Sequence, residues 1–235
     1  MTEARKPFGK FIVIDGMDGC GKDTQIELLK EALIGKGIRA RYTREPGGEG
    51  VAIAEEIRTM LLRKNGPPTV PLCDFFLFWA SRAAHVEIMV KPWIYQGRHV
   101  ISNRYDSSTF AFQIYGERQF QLEPAFMEIR GRLGYEYHPD GYIFLDLSAE
   151  EADRRMKLRS EESKQTESRF DAWPLEKHHD VRTGFLQFEQ TVMKNDRRGK
   201  VYVVDASRTR EEVHADILRA VLTIVETPIL ASAAL

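Results

Sequence analysis

Residues 11–24 read Phe-Ile-Val-Ile-Asp-Gly-Met-Asp-Gly-Cys-Gly-Lys-Asp-Thr, and this stretch decides the fold. Phe11 to Ile14 is an unbroken apolar run, as carried by strands buried on both faces. Gly16, Gly21 and Lys22 then follow at the G-x-x-x-x-G-K spacing that closes a strand and opens a helix. Glycines let the loop curl so that successive N–H groups point inward at phosphate oxygens, and the following helix adds its positive end. Gly16, Met17, Asp18, Gly19, Cys20, Gly21, Lys22, Asp23 and Thr24 are therefore expected to bind ATP, with Lys22 reaching the β- and γ-phosphates. Cys20 occupies a tight position that needs a small side chain.

Further short β-rich runs lie around Ala40 to Thr43, Val100 to Ser102, Tyr142 to Leu147 and Val201 to Val204. Helical patterns alternate with them, which predicts an α/β fold with a five-stranded parallel sheet flanked by helices. Ile26, Leu29 and Leu33 repeat at helical spacing and stop at Gly35 and Gly37. Other helices are expected near 51–62, 74–95 with an interruption at Pro92, 149–159, 174–193 and 210–225. The polar stretch Arg159 to Arg169 reads either as a solvated loop or as a mobile lid, about 159–171. Residues 227–235 have no partner in the pattern, and the 235 residues are expected to make one domain.

With 34 basic and 35 acidic residues the net charge is −1, so no basic excess draws in nucleic acid. No apolar run approaches the roughly 20 residues of a membrane helix, and the start MTEARKPFGK lacks a signal-peptide core. A cytoplasmic location without membrane or nucleic-acid partners is expected. The two cysteines, Cys20 and Cys73, make neither a disulfide framework nor a metal-ligand spacing.

Asp23 stands where such loops carry the Ser or Thr whose hydroxyl faces Mg²⁺. Two readings are open: Asp23 binds Mg²⁺ directly or through water, or it pairs with a nearby arginine. Asp18 is a second candidate to hold water around the metal.

Four further segments resemble thymidylate kinases of the bacterial type, over about Lys10 to Leu222. They are Thr43-Arg-Glu-Pro-Gly-Gly48 with the helix after it; Phe78-Trp-Ala-Ser-Arg82; Ser102-Asn-Arg104-Tyr105-Asp-Ser-Ser108-Thr109-Phe-Ala-Phe112-Gln; and Arg154 to Asp171. The resemblance implies the P-loop nucleoside-monophosphate kinase fold, with ATP and Mg²⁺, phosphorylation of dTMP to dTDP for dTTP synthesis, and a homodimer. It implies that Arg44 and Glu45 line the acceptor phosphate site and that Arg104 clamps that phosphate. By the same resemblance Phe78 stacks on the pyrimidine, Arg82 donates to its 4-carbonyl, Ser108 and Thr109 meet the base edge, and Phe112 lies near the sugar. Since this loop carries no arginine, the resemblance places catalytic arginines in the lid, with Arg159 and Arg169 chosen and Arg155 open. An arginine reaching the moving phosphoryl group stabilises its spread charge.

Two positions depart from the family: Asn103 replaces its Asp, and Phe112 its usual Tyr. A carboxylate appears at 23 as one vanishes at 103, so the charge near the metal is expected to have moved across the site. These departures keep two other readings open, a kinase for another deoxynucleoside monophosphate and a non-catalytic nucleotide-binding protein.

Overall fold

The structure, a computed structural model, describes residues 8–228 apart from 66, 68, 135–136, 164–167 and 195–198. Strands β1 (Phe11–Gly16), β2 (Ala40–Arg44), β3 (His99–Asn103), β4 (Gly141–Asp146) and β5 (Lys200–Asp205) form one parallel sheet, ordered β2-β3-β1-β4-β5. All five expected strands are present. Every residue of β1 is buried, which explains its continuous apolar run, whereas β5 is an edge strand that leaves Val203 exposed. The chain leaves β1 for the far edge and returns through β3. The carboxyl ends of β1 and β3 therefore flank the crevice where open α/β sheets take ligands.

The helices are α1 (Lys22–Gly35), α2 (Ala52–Leu62), α3 (Pro71–His85), α4 (Lys91–Tyr95), α5 (Asp106–Thr109), α6 (Glu123–Arg132), α7 (Ala149–Ser163), α8 (Leu175–Phe188) and α9 (Arg210–Glu226). Ile26, Leu29 and Leu33 of α1 are buried, as their spacing predicts. The expected interruption near Pro92 takes the form of a π-helical turn over Val86–Val90, which joins α3 to α4 just before the proline. The α7 helix runs past Arg159 to Ser163, so the first five residues of the expected lid are helical. Of the rest, 164–167 lie outside the described residues, as do 229–235 of the tail.

Helix α5, the π-helical Phe110–Gly116 and α6 have no counterpart in the sequence reading. Phe110 to Ile114 are all buried, so the segment is apolar on every side and shows no helical period. Its rings join the main core: Phe110 lies 5.5 Å from Phe126 and 5.6 Å from Phe188.

Candidate active site

A cavity of about 980 Å³ opens over the carboxyl ends of β1, β2 and β3. The loop between β1 and α1 forms one wall. Gly16, Gly19 and Gly21 take φ values of 144°, 81° and 92°, which side-chain-bearing residues rarely adopt. A Cβ on Gly19 would come within 2.5 Å of the Ala152 carbonyl oxygen, so the loop grazes α7. A Cβ on Gly21 would meet nothing within 4 Å, which leaves open space at the helix N-terminus for a phosphate. Lys22 Nζ curls inward and donates to the Gly16 and Met17 carbonyls at 3.0 and 2.7 Å. Met17 and Cys20 are buried beneath the loop. Burial raises the Cys20 thiol pKa against the pull of Lys22 and Arg104, so the residue serves as small packing.

Arg104 enters from the end of β3 with φ of 71° and crosses to the loop. Its Nη1 donates to Asp15 Oδ1 at 3.1 Å, the Gly16 carbonyl at 2.9 Å and Ser108 Oγ at 3.0 Å, and its Nη2 to Asp18 Oδ1 at 2.6 Å. Phe112 lies under the guanidinium, 5.1 Å from ring centre to Cζ. Burial opposes ionisation of Asp18, but Arg104 and Lys22 outweigh it and hold the carboxyl well below its usual range. Asp18 is therefore an ion-pair partner of Arg104, with its carboxylate on the cavity wall. Among the described residues no arginine forms an ion pair with Asp23; Asn103 Nδ2 donates to its Oδ1 at 2.7 Å. Asp23 and Asn103, the positions between which a carboxylate is exchanged, thus touch each other.

On the opposite wall Arg82 is 1% exposed, and Glu45 and Tyr105 hold it. Its Nε donates to Glu45 Oε2 at 2.9 Å, and its Nη2 to the Tyr105 carbonyl and Thr109 Oγ1, both at 3.0 Å. Nη1 has no partner among the described residues. Burial works against the charge, yet Glu45 and Asp106 hold the Arg82 pKa above its ordinary value. Thr109 is fully buried behind Arg82, which corrects its expected contact with a base edge: it positions the arginine. Glu45 likewise faces Arg82, and Ser108 donates to Asp15 at 2.8 Å while lining the cavity. Arg44 reaches the cavity held by Glu49 and Glu55 at 3.1 and 3.2 Å.

A family model described as thymidylate kinase matches residues 14–217. The chain is 34% identical over 221 residues to the thymidylate kinase of Nitratidesulfovibrio vulgaris, covering 93% of this chain and 98% of that one. It is 38% identical over 213 residues to that of Carboxydothermus hydrogenoformans, covering 89% and 95%. With that of Mesoplasma florum the identity is 34% over 216 residues, covering 92% and 96%.

This chain belongs to the thymidylate kinase family.

Within this family member, the arginines expected of a lid divide. Arg159 lines the cavity and adds its positive charge to the field on Asp18. Arg155 lines it too, but its Nη1 donates to the Ala206 carbonyl at 3.2 Å and its Nε to Glu151 at 2.8 Å, beside the loop after β5. Arg169, expected to be catalytic, turns elsewhere. It donates to the Leu61 carbonyl and Thr69 Oγ1, both at 2.6 Å, and pairs with the buried Asp74 at 2.7 Å. Its neighbour Phe170 lines the cavity, with its ring centre 6.1 Å from Phe78 and 6.0 Å from Phe112.

Three site residues escaped the sequence reading. Asp15, fully buried, gathers Arg104, Ser107 and Ser108. Arg58 lines the cavity and donates to the Pro46 carbonyl at 2.7 Å; burial and then Arg44 lower its pKa. Gln113 lines the cavity with both amide atoms buried and unpartnered among the described residues. One signal was available for Gln113, a lone amide in an otherwise apolar run.

Mg²⁺ fits this donor set. It takes oxygen ligands, keeps several waters and shares phosphate oxygens, so it needs few protein ligands. Among the described residues no group of three His, Cys, Asp or Glu side chains gathers, and Asp23 presents a carboxylate on the cavity wall beside Lys22.

Proposed function

We propose that this chain transfers the γ-phosphoryl group of ATP to dTMP, giving dTDP and ADP, by direct in-line displacement. The observation that carries the reading is the Arg82 wall facing the phosphate loop across one cavity. A buried, charged guanidinium and the Gln113 amide line this cavity, and among the described residues one N–H₂ of the arginine and the amide have no partner. A thymine presents an acceptor carbonyl at position 4, whereas cytosine presents a donor there and would leave the arginine unpaired.

An oxygen of the acceptor 5′-phosphate attacks the γ-phosphorus, the bond to the β-phosphate oxygen breaks, and ADP leaves with the electron pair. That phosphate is ionised near neutral pH, so no general base is required. Lys22 and the loop amides hold the β- and γ-phosphates. Arg104 leaves Asp18 for the acceptor phosphate, whose doubly charged oxygens compete well for a guanidinium fork. Arg159 comes in over the moving group as α7 and the lid close. Asp23, oriented by Asn103, would hold Mg²⁺, which would supply neutralisation of the charge on the ATP phosphates. With γ-labelled ATP, label is expected in dTDP and none on the protein; labelled protein that chases into dTDP contradicts direct transfer.

The exchange of charge between positions 23 and 103 has its own test in calorimetric titration of ADP with and without Mg²⁺. Asp23→Ala is expected to abolish the Mg²⁺-dependent gain in ADP affinity. Asp23→Ser combined with Asn103→Asp is expected to restore it; failure of the double variant contradicts the exchange.

We further infer a homodimer in the cytoplasm. The exposed side chains of Ile53 and Met60 on α2 and Leu72 and Phe76 on α3 supply an apolar face for a second copy. No helix among the described residues is long and apolar enough to cross a membrane.

A further inference from the structure

Arg82 is held as a rigid plane. Trp79 and Tyr105 lie 4.6 and 5.0 Å from its Cζ, and Glu45, Thr109 and the Tyr105 carbonyl take its other donors. The direction of the remaining Nη1 is therefore set by where Glu45 stands. Glu45 in turn has a second partner: His85 Nδ1 lies 3.0 Å from its Oε1. A carboxylate only accepts, so Nδ1 carries the proton. The other ring nitrogen, Nε2, lies 2.7 Å from Thr43 Oγ1 on β2. His85 also walls the turn after β2, since a Cβ on Gly48 would come within 2.6 Å of its Cδ2. It is 0% exposed and does not line the cavity.

We propose that His85 is a positioning residue for base recognition: it fixes the Glu45 carboxylate, and through it aims the spare N–H₂ of Arg82 at the acceptor base. This rests on the reading of Arg82 given above. His85 touches neither substrate, so its loss acts on acceptor binding and base discrimination and spares the phosphate chemistry. Removing the imidazole leaves a buried carboxylate oxygen unpaired, an effect of roughly tenfold in an equilibrium. Of the conservative replacements, Asn places an amide where Nδ1 stands and keeps the bond to Glu45, whereas Gln reaches toward the Nε2 position and keeps only Thr43.

The test measures dTMP and dCMP binding by calorimetry, with KM and kcat for ATP and dTMP. His85→Ala is expected to weaken dTMP binding about tenfold, to narrow the dTMP-to-dCMP ratio, and to leave the KM for ATP and the kcat within about twofold. His85→Asn is expected to recover most of the loss and His85→Gln little of it. If His85→Ala and His85→Asn behave alike, or if ATP and dTMP suffer equally, the relay is wrong and His85 is only packing. Should His85→Ala not fold, the Asn and Gln pair decides alone. A wild-type protein that binds dCMP as well as dTMP overturns the Arg82 reading itself, and the relay with it.

Discussion

Arg159 and Arg169 bracket the lid, and their surroundings assign them different work. Arg159 lines the cavity, so Arg159→Ala is expected to lower kcat by on the order of 10²–10³ in steady-state assays. Arg169 caps the Leu61 carbonyl and neutralises a buried Asp74. Arg169→Ala is expected to destabilise the fold by about 2–4 kcal/mol in urea titration, because the carboxylate stays buried and unpaired. Both residues look alike in the sequence, as basic side chains in a polar stretch, and only the fold separates them. Arg82, Phe78 and Arg104 were legible because they sit in recognisable segments. Gln113 carried one signal, a lone amide in an apolar run, but only the fold shows that its amide has no partner among the described residues. Gln113→Ala is expected to weaken dTMP binding about tenfold without affecting ATP, as read by calorimetry.

The strands were legible because burial on both faces writes itself as an unbroken apolar run, and the loop after β1 because its glycines have no substitute. The stretch over 106–116 was not, since a helix surrounded by core loses its period. One pairing between elements is sensitive to acid. His99 at the start of β3 accepts a hydrogen bond at Nδ1 from the Lys10 backbone N–H at 3.1 Å, tying β3 to the residue before β1. Burial, and then Lys10, lower its pKa from 6.5. The native state thus holds fewer protons than the unfolded chain, and stability is complete above about pH 6.5 and is lost as pH falls through the native value. His214, lowered by burial, acts in the same direction. The urea midpoint is expected to fall between about pH 7 and pH 5.5, and His99→Asn, which can accept the same bond without titrating, to flatten that fall.

For the molecule as a whole, topology explains why residues far apart in the chain share one cavity. The order β2-β3-β1-β4-β5 brings the ends of β1, β2 and β3 together, and with them Asp18, Arg44 and Arg104. Sequence periodicity carries no information about strand order, so only the fold shows which strand ends meet. The proposed homodimer belongs to this scale too: the wild-type protein is expected to sediment as a dimer and Phe76→Glu as a monomer, and a wild-type monomer, or a Phe76→Glu profile that matches a wild-type dimer, contradicts a dimer built on α2 and α3. The central claim is a phosphate loop and a thymine-reading wall working across one cavity. It is tested most directly by kcat/KM for ADP release with ATP and Mg²⁺ against dTMP, dUMP, dCMP, dGMP, dAMP and UMP. The expected result is dTMP as the preferred acceptor, with dCMP at least about tenfold poorer. Turnover that favours dCMP, or none with any acceptor while ATP still binds, contradicts the account.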